Sequence, residues 1–140
     1  MTRRIFRSML CVSMIVLLAG SGLIMGILYH YFGKQLSKEL KMEAAYLAIA
    51  VEKEGMEAFE ELPPQTERVT YIDEDGTVLF DSVADENDMD NHENRAEIQK
   101  AMKTGSGTAV RRSDTLSEKT LYYAMKLNNG KILRVSSVQY

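Results

Sequence analysis

The chain carries three successive patterns of apolar and polar positions. From Met9 to Phe32 it is almost wholly apolar, and no Asp, Glu, Lys or Arg interrupts it. From Gly33 to Leu62 apolar residues recur at steps of four and seven, the spacing of one helix face. The positions on that face are Leu36, Leu40, Leu47, Val51, Ala58 and Leu62. From Arg68 onward apolar and polar residues alternate with a period of two, as in half-buried strands.

The first pattern is long enough to cross a membrane. Its 24 residues extend about 36 Å as a helix, and the hydrocarbon core of a bilayer is about 30 Å thick. We therefore expect a transmembrane helix over residues 9–32, in contact with the lipid bilayer. A cleaved signal peptide is the alternative, since Ala19, Gly20 and Ser21 could form a cleavage site. The apolar run continues beyond them, which favours an uncleaved anchor.

The charges around this span predict its orientation. Arg3, Arg4 and Arg7 precede it, and no acidic residue does. Basic residues next to a span stay on the cytoplasmic side. We therefore expect a single-pass protein of the cell membrane, with residues 1–8 cytoplasmic and residues 33–140 extracellular.

The later patterns predict an α+β fold. A membrane-proximal helix over 33–62 continues the span, and Pro63-Pro64 ends it. A domain over 66–140 follows, with a short helix over 96–103 that Gly105 ends. Asp75-Gly76 and Asn129-Gly130 predict hairpin turns, and hence an antiparallel sheet. Its five strands are expected at 68–73, 77–82, 107–113, 120–127 and 131–138.

Alternation along the strands divides the sheet into two faces. Leu121, Tyr123, Met125 and Leu127 share one face of their strand, and Leu133 and Val135 match them on the next. We expect that face to be buried against helices. The other face is then left for a ligand or a partner.

Composition removes several classes of function. After residue 32 there are 14 basic and 20 acidic residues, a net charge of −6, so a nucleic-acid partner is not expected. Cys11 is the only cysteine, which excludes an intrachain disulfide. No Ser/His/Asp or Cys/His arrangement for nucleophilic catalysis can be assembled, and no catalytic residue is predicted.

Small residues mark one side of the predicted span. Gly22 and Gly26 form a GxxxG pattern, and Gly33 lies one heptad after Gly26. Glycines at this spacing let a second helix approach closely, which predicts a helix-dimer face and a homodimer. The alternative is that glycine is simply common in membrane helices. The helix over 33–62 either packs on its own domain or extends the dimer contact, and both can hold along different parts of it.

An acidic loop is the one candidate metal site. Its possible ligands are Asp85, Asp88, Asp90 and His92. A calcium loop of the EF-hand type needs a glycine after its alternating acids, and none follows here. We expect a solvated loop without metal. Asn91 or Glu93 is expected to cap the helix that starts near Ala96, and Arg95 to pair with a nearby carboxylate.

Four residues are candidate ligand-binding residues: Arg112, Tyr123, His92 and Arg95. Adjacent strand residues point to opposite faces, so either Arg111 or Arg112 can face a pocket and hold a carboxylate or phosphate. Tyr122 and Tyr123 divide in the same way, one expected in the core and one exposed. Solvated charges are the alternative for the arginines.

Several blocks together resemble a known family. They are RVTYIDEDGTVLFDS, DMDNHENRAEI, RRSDTL, LYYAM and NNGKILRVS. After an N-terminal span and a long helix, they resemble the extracellular PAS-like sensor domain of phosphate-regulon-type sensor histidine kinases. The most specific parts are Ile72-Asp73 through Asp81-Ser82 and the block Met89 to Ile98. The family often has proline where this chain has Ala96.

The resemblance implies a larger parent protein. Such a kinase continues into a second span, a HAMP linker, a helix pair with the phosphorylated histidine and an ATP-binding domain. ATP and Mg²⁺ belong to that kinase core, and a response regulator is its partner. His30 and His92 lack the context of a phosphorylated histidine, so the chain is interpreted as the sensor end, truncated or a fragment.

The sequence thus favours the signal-input region of a membrane-bound two-component histidine kinase. Its signal is expected to be a small ligand or a neighbouring membrane protein. The alternative is a non-enzymatic membrane receptor or interaction module, such as a chemoreceptor input domain.

Overall fold

The computed structural model describes residues 2–60, 62, 67–112 and 119–139. Two helices and five strands account for most of them. In chain order they are α1 Thr2–Glu54, a 3-10 helix Gly55–Phe59, β1 Arg68–Ile72, β2 Val78–Asp81, a 3-10 turn Glu86–Asp88, α2 Ala96–Thr104, β3 Ser106–Arg112, β4 Lys119–Lys126 and β5 Ile132–Gln139. The chain divides into two compact units, Met1–Leu36 and Ser37–Tyr140.

The first unit is the N-terminal part of α1. Its large apolar side chains are exposed, as expected for a helix that faces lipid rather than a protein core. By length and composition this helix is able to cross a membrane. The α-helix continues without interruption from Thr2 to Glu54, so the apolar segment and the membrane-proximal helix are one element.

The end of α1 differs from the sequence prediction. The helical pattern predicted one helix as far as Leu62, but the α-helix ends at Glu54. Gly55 has a φ of +66°, a left-handed conformation that glycine adopts without strain. A 3-10 helix then continues to Phe59. The proposed stop at Pro63-Pro64 lies outside the described residues.

In the second unit, one side of α1 packs against the sheet. The buried positions are Leu40, Ala44, Ala48 and Val51, at steps of four, four and three. Ala44 is fully buried, although it is not among the positions of the predicted apolar face. Ala48 packs with sheet residues in the same apolar cluster as Val51, so alanine carries part of the contact that the pattern assigned to larger residues.

The strands form one antiparallel sheet in the order β2-β1-β5-β4-β3. This confirms the predicted α+β fold with five strands and a short helix. Gly76 and Gly130 have φ angles of +86° and +85°, as the two predicted turns require. Gly105 ends α2 with a φ of +89°.

Helices cover both faces of the sheet. On one face Val69, Tyr71 and Leu133 pack with Val51 of α1 and with Phe59. On the other face Ile98 and Ala101 of α2 pack against three sheet residues, Ile72, Ala124 and Ile132. The prediction that the second face is left free for a ligand or a partner is therefore wrong for part of the sheet. α2 covers part of that face, and the remainder lines a cavity.

Candidate ligand-binding site

A small polar cavity lies on the part of the sheet that α2 leaves uncovered. Its volume is about 250 Å³. Strands β1, β3, β4 and β5 and the loop before α2 supply its walls. The lining residues are Arg68, Met89, Asp90, His92, Arg95, Arg111, Tyr122 and Arg134.

Strand alternation explains why these side chains meet. Arg68 and Thr70 are two residues apart on β1, and so point to the same face. Thr70 is opposite Arg134 of β5, and Arg68 is opposite Ser136. Ser136 is in turn opposite Tyr122 of β4. The sheet register therefore gathers two arginines, a threonine, a serine and a tyrosine into adjacent rows.

Glu97 is the carboxylate behind the cavity. It is the second residue of α2 and is fully buried. Its two oxygens accept hydrogen bonds from the Arg111 guanidinium at 2.7 and 2.6 Å. Burial raises the pKa of Glu97. Hydrogen bonds from Arg111 and the backbone, together with the positive charges of Arg111 and Arg134, outweigh burial and hold that pKa below its ordinary value. Glu97 is therefore ionised at neutral pH.

Arg134 is the most deeply placed cation of the site. Only 3% of the residue is exposed. One terminal nitrogen donates to Thr70 Oγ1 at 3.0 Å, and the other lies 3.4 Å from Glu97 Oε1. The buried Nε has no hydrogen-bond partner within the described part of the chain. Burial lowers the pKa of Arg134. A buried N–H without a partner costs free energy, so this nitrogen is a donor that an incoming anion could satisfy.

A second ion pair fixes the opposite wall. Arg68 Nε lies 2.9 and 3.0 Å from the two oxygens of Asp81, and Thr70 donates to the same carboxylate at 2.8 Å. The backbone N–H groups of Val83 and Ala84 also donate to it. Burial raises the pKa of Asp81, but these hydrogen bonds, led by Arg68, keep it below its ordinary value. Arg68 is thus held in place by a fully ionised partner.

His92 is a neutral, buried member of the cavity wall. Its Nδ1 is 2.6 Å from the carbonyl oxygen of Asp90. A carbonyl only accepts hydrogen bonds, so Nδ1 carries the proton and Nε2 is left as an acceptor. Burial, followed by the positive charge of Arg134, lowers the pKa of His92.

Tyr122 provides an aromatic surface for the arginines. The guanidinium carbon of Arg111 lies 3.9 Å from the ring centroid, and that of Arg134 lies 5.2 Å from it. Cation–π contact of this kind orients a guanidinium without neutralising it.

The charge around the cavity is positive, although the second unit is acidic. Its four cations are Arg68, Arg95, Arg111 and Arg134. The three nearby carboxylates are Asp90 on the cavity wall, Glu97 behind Arg111 and Asp81 behind Arg68. Guanidinium groups match the planar oxygens of carboxylate and phosphate. The arrangement is therefore suited to a small anion.

The four predicted ligand-binding residues divide between two places. His92 and Arg95 line the cavity. Arg112 is exposed and lies outside it. Tyr123 lies beneath Lys41 of α1, with Nζ 5.9 Å from the ring centroid, on the other face of the sheet.

Arg111 and Tyr122, which precede Arg112 and Tyr123 in the chain, line the cavity instead. The sequence showed that the two residues of each pair point to opposite faces of the sheet, but not which of the two faces the cavity. Both tyrosines are half-buried, so the expected division into one core and one exposed ring is wrong. The sequence analysis did not name Arg68, Arg134 or Glu97 as site residues. For the two arginines a signal exists, because a charged residue at a strand position where alternation predicts burial indicates a polar site.

The loop before α2 is held by turns rather than by the predicted helix cap. Arg95 occupies the N-cap position and makes no side-chain cap bond. Asn91 donates to the Asp75 carbonyl and accepts from the Glu93 N–H, so neither Asn91 nor Glu93 caps the helix. No ion pair of Arg95 is found within the described ranges, contrary to prediction.

The acidic part of the loop folds on itself. The Asp85 carboxylate accepts hydrogen bonds from the backbone and side-chain nitrogens of Asn87. Among the residues that the structure describes, no group of three or more His, Cys, Asp or Glu side chains is placed to hold a metal ion.

Comparison with solved structures finds the extracellular domain of a proposed histidine kinase, designated rpHK1S-Z16. The sequence identity is 12% and the TM-score is 0.43, over 58% of this chain and 34% of that chain. This chain thus spans about a third of the length of that structure. The comparison with curated proteins gives no match.

A family profile gives the assignment. The Single Cache-like profile matches residues 30–132, which include the membrane-proximal part of α1, α2 and the four strands from β1 to β4. The long helix followed by a five-stranded antiparallel sheet agrees with that fold. The chain belongs to the Single Cache-like family of sensor domains.

Proposed function

We propose that this chain is the signal-input region of a membrane receptor, and that it senses a small anion bound in the cavity beside α2. One observation carries the proposal. Four guanidinium groups, one of them that of Arg134, line a single small cavity, and the buried Nε of Arg134 has no partner within the described residues.

The size and chemistry of the cavity limit the ligand. About 250 Å³ is below the roughly 300 Å³ at which pockets for drug-sized ligands begin. A compact anion with one or two carboxylate or phosphate groups fits this space. The neutral His92, with Nε2 as an acceptor, adds a place for a ligand hydroxyl group.

We further propose that the cavity is extracellular. The three arginines before the span favour a cytoplasmic N-terminus, and the single apolar helix then carries the sheet to the outer side. In that arrangement residues 33–140 meet ligands from outside the cell.

The effect of ligand binding could pass to α1 through one strand, because neighbouring residues of that strand lie on opposite faces of the sheet. Arg134 of β5 faces the cavity, while its neighbours Leu133 and Val135 point to the other face, where Leu133 packs with α1 residues. A ligand that draws Arg134 into the cavity would shift this packing. Signalling requires that the ligand bind two packings with different affinity.

The output we propose is a two-component histidine kinase of the phosphate-regulon type. The resemblance from RVTYIDEDGTVLFDS to NNGKILRVS supports this, and membership in a sensor-domain family agrees with it. ATP, Mg²⁺ and a response regulator would then act on the cytoplasmic part of the parent protein. A gene that continues into a methyl-accepting coiled coil would instead indicate a chemoreceptor.

The binding proposal is tested by calorimetric titration of the full chain in lipid nanodiscs. The probes are succinate and inorganic phosphate, with neutral succinamide as the control ligand. We expect at least one anion to bind and succinamide not to bind. The Arg95→Gln variant should weaken binding about tenfold, because a hydrogen bond to a charged group contributes about 1.5 kcal/mol.

Arg112→Gln is the matched control, since Arg112 is exposed and outside the cavity. Equal loss of affinity in the two variants would show that net charge, not the cavity, governs binding. Binding of succinamide as tightly as succinate would contradict an anion site.

A further inference from the structure

The cavity wall contains a side chain that can change its charge near neutral pH. Histidine is the residue type whose charge ordinarily changes between about pH 5 and 8, and His92 lines the cavity with only 5% of its surface exposed. Its Nδ1 donates to the Asp90 carbonyl oxygen, 2.6 Å away. A second proton therefore has to bind at Nε2.

The neutral form of His92 gives an anion no hydrogen bond. Nε2 then accepts, and the oxygens of a carboxylate, phosphate or sulfate group accept as well. Protonation turns Nε2 into a donor and adds a positive charge to the wall. Hydrogen bonds between a charged donor and a charged oxygen are among the stronger ones in proteins. An anion in the cavity therefore favours the protonated ring, and the protonated ring favours an anion.

The surroundings of His92 oppose protonation as long as no anion is bound. Burial lowers the pKa of His92 most, and the positive charges of Arg134 and Arg95 lower it further. The hydrogen bond to Asp90 and the charge of Glu97 act in the opposite direction. A bound anion would offset the charges of the two arginines, and so would remove part of the opposition to a protonated ring.

The other charges near His92 belong to two ion pairs. Arg68 of β1 is paired with Asp81, and Arg111 of β3 is paired with Glu97. The pKa values of both carboxylates lie below their ordinary values, so both stay ionised wherever a histidine titrates. Tyr122 of β4 contributes its ring, which lies against Arg111. Neither pair changes its charge in the range in which His92 can.

We propose that anion binding in the cavity is coupled to protonation of His92, so that the site binds an anion more tightly as the pH falls. This inference rests on the proposed anion site and adds its regulation. A proton and an anion that share one site strengthen each other's binding by the same factor. Uptake of one proton with the anion changes the affinity by at most about tenfold per pH unit. The chain would then respond to an anion and to acidity together.

Calorimetric titration of the full chain in lipid nanodiscs with sulfate tests the coupling. Sulfate stays a dianion between pH 7.5 and 5.5, so its own protonation does not contribute. We expect several-fold tighter binding at pH 5.5, and most of this gain should be lost in His92→Gln. His30→Gln changes the other histidine of the sequence, outside the cavity, and should keep the gain. Equal affinity at both pH values, or an undiminished gain in His92→Gln, overturns the proposal.

Asp90→Asn separates His92 from the exposed acid of the same wall. Removing this negative charge should tighten sulfate binding at both pH values and leave the gain on acidification in place. Loss of the gain in Asp90→Asn would assign the coupling to Asp90 and contradict a role of His92.

NMR of the His30→Gln protein, in which His92 is the one remaining histidine, measures protonation with the cavity unchanged. We expect saturating sulfate to raise the pKa of His92, and an unchanged or lower pKa would contradict the coupling. Absence of sulfate binding at both pH values also overturns it. The anion site itself is judged separately, by the titrations with succinate and phosphate.

Discussion

Some cavity residues contribute to the stability of the fold and also position the groups proposed to bind the ligand. Glu97 neutralises Arg111 and also lies against Arg134, so one buried carboxylate serves two cations. Within the part of the chain that the structure describes, Arg134 Nε has no hydrogen-bond partner and the exposed Arg95 makes no ion pair. Two of the residues predicted from sequence to bind a ligand, His92 and Arg95, line the cavity, and their role in binding stays a prediction. The sequence alone could not decide between Arg111 and Arg112, because alternation fixes which residues share a face but not which face meets α2.

Replacing Glu97 tests its structural part. Glu97→Gln removes the charge that compensates a buried arginine, and breaking a buried ion pair costs roughly 3–5 kcal/mol. We expect a loss of unfolding free energy of about that size in urea denaturation. Glu93→Gln, at an exposed position of the preceding loop, should change it little. A small effect of both substitutions would show that Glu97 is not the main counter-charge.

His92 predicts a specific pH dependence. Its folded pKa lies below the ordinary value of 6.5, so below about pH 6.5 the unfolded chain binds more protons than the folded chain. Stability should therefore fall as the pH decreases through 6.5 toward the folded pKa, and above 6.5 this group contributes no slope. Lowered pKa values of Glu97 and Asp81 add a further loss only at more acidic pH.

The test compares urea midpoints of wild type and His92→Gln between pH 7.5 and 5.5. We expect the wild-type midpoint to decline with acidification and the variant to decline less. The same slope in both proteins would contradict a buried, neutral His92.

At the scale of elements, alternation and turn residues specified the sheet closely. The predicted strands and α2 lie within one residue of the observed bounds, because two glycine turns and the Gly105 stop fix their ends. The end of α1 was not predictable in the same way. Apolar spacing continues past Glu54, and only the left-handed conformation of Gly55 breaks the helix.

Two glycines should respond differently to alanine. Gly105 has a left-handed φ but open space where a Cβ would lie, so Gly105→Ala should cost about 1 kcal/mol for the conformation alone. At Gly76 an added Cβ would also meet the Glu93 backbone and the Asn91 side chain, so Gly76→Ala should cost clearly more. Thermal unfolding of both variants measures the difference. Equal losses would show that the loop yields at no cost.

For α1, the sequence left open whether its outer part packs on its own domain or forms a dimer contact. The structure buries Leu40, Ala44, Ala48 and Val51, and the last two pack with sheet residues. Met42, Tyr46 and Ile49 of the same helix are exposed. The glycine face at Gly22, Gly26 and Gly33 stays a prediction. The sequence alone cannot tell which of the two sets of positions is buried, because both have helical spacing. Only the packing of the sheet on α1 distinguishes them.

At the scale of the whole molecule, the account requires that the cavity be open to the outside of the cell. The apolar N-terminal helix and the sensor-domain family together indicate a membrane protein. The direction in which the chain crosses the membrane rests on Arg3, Arg4 and Arg7. Reversing that direction would present the cavity to cytoplasmic metabolites and would remove the proposed role.

Site-directed labelling in intact cells tests this requirement most directly. Asp90 is exposed and lines the cavity, so Asp90→Cys in a Cys11→Ser background reports on the site itself. A membrane-impermeant maleimide should label it in intact cells, whereas Ser8→Cys, before the span, should react only after permeabilisation. Protection of residue 90 until the cells are opened would contradict the extracellular sensor.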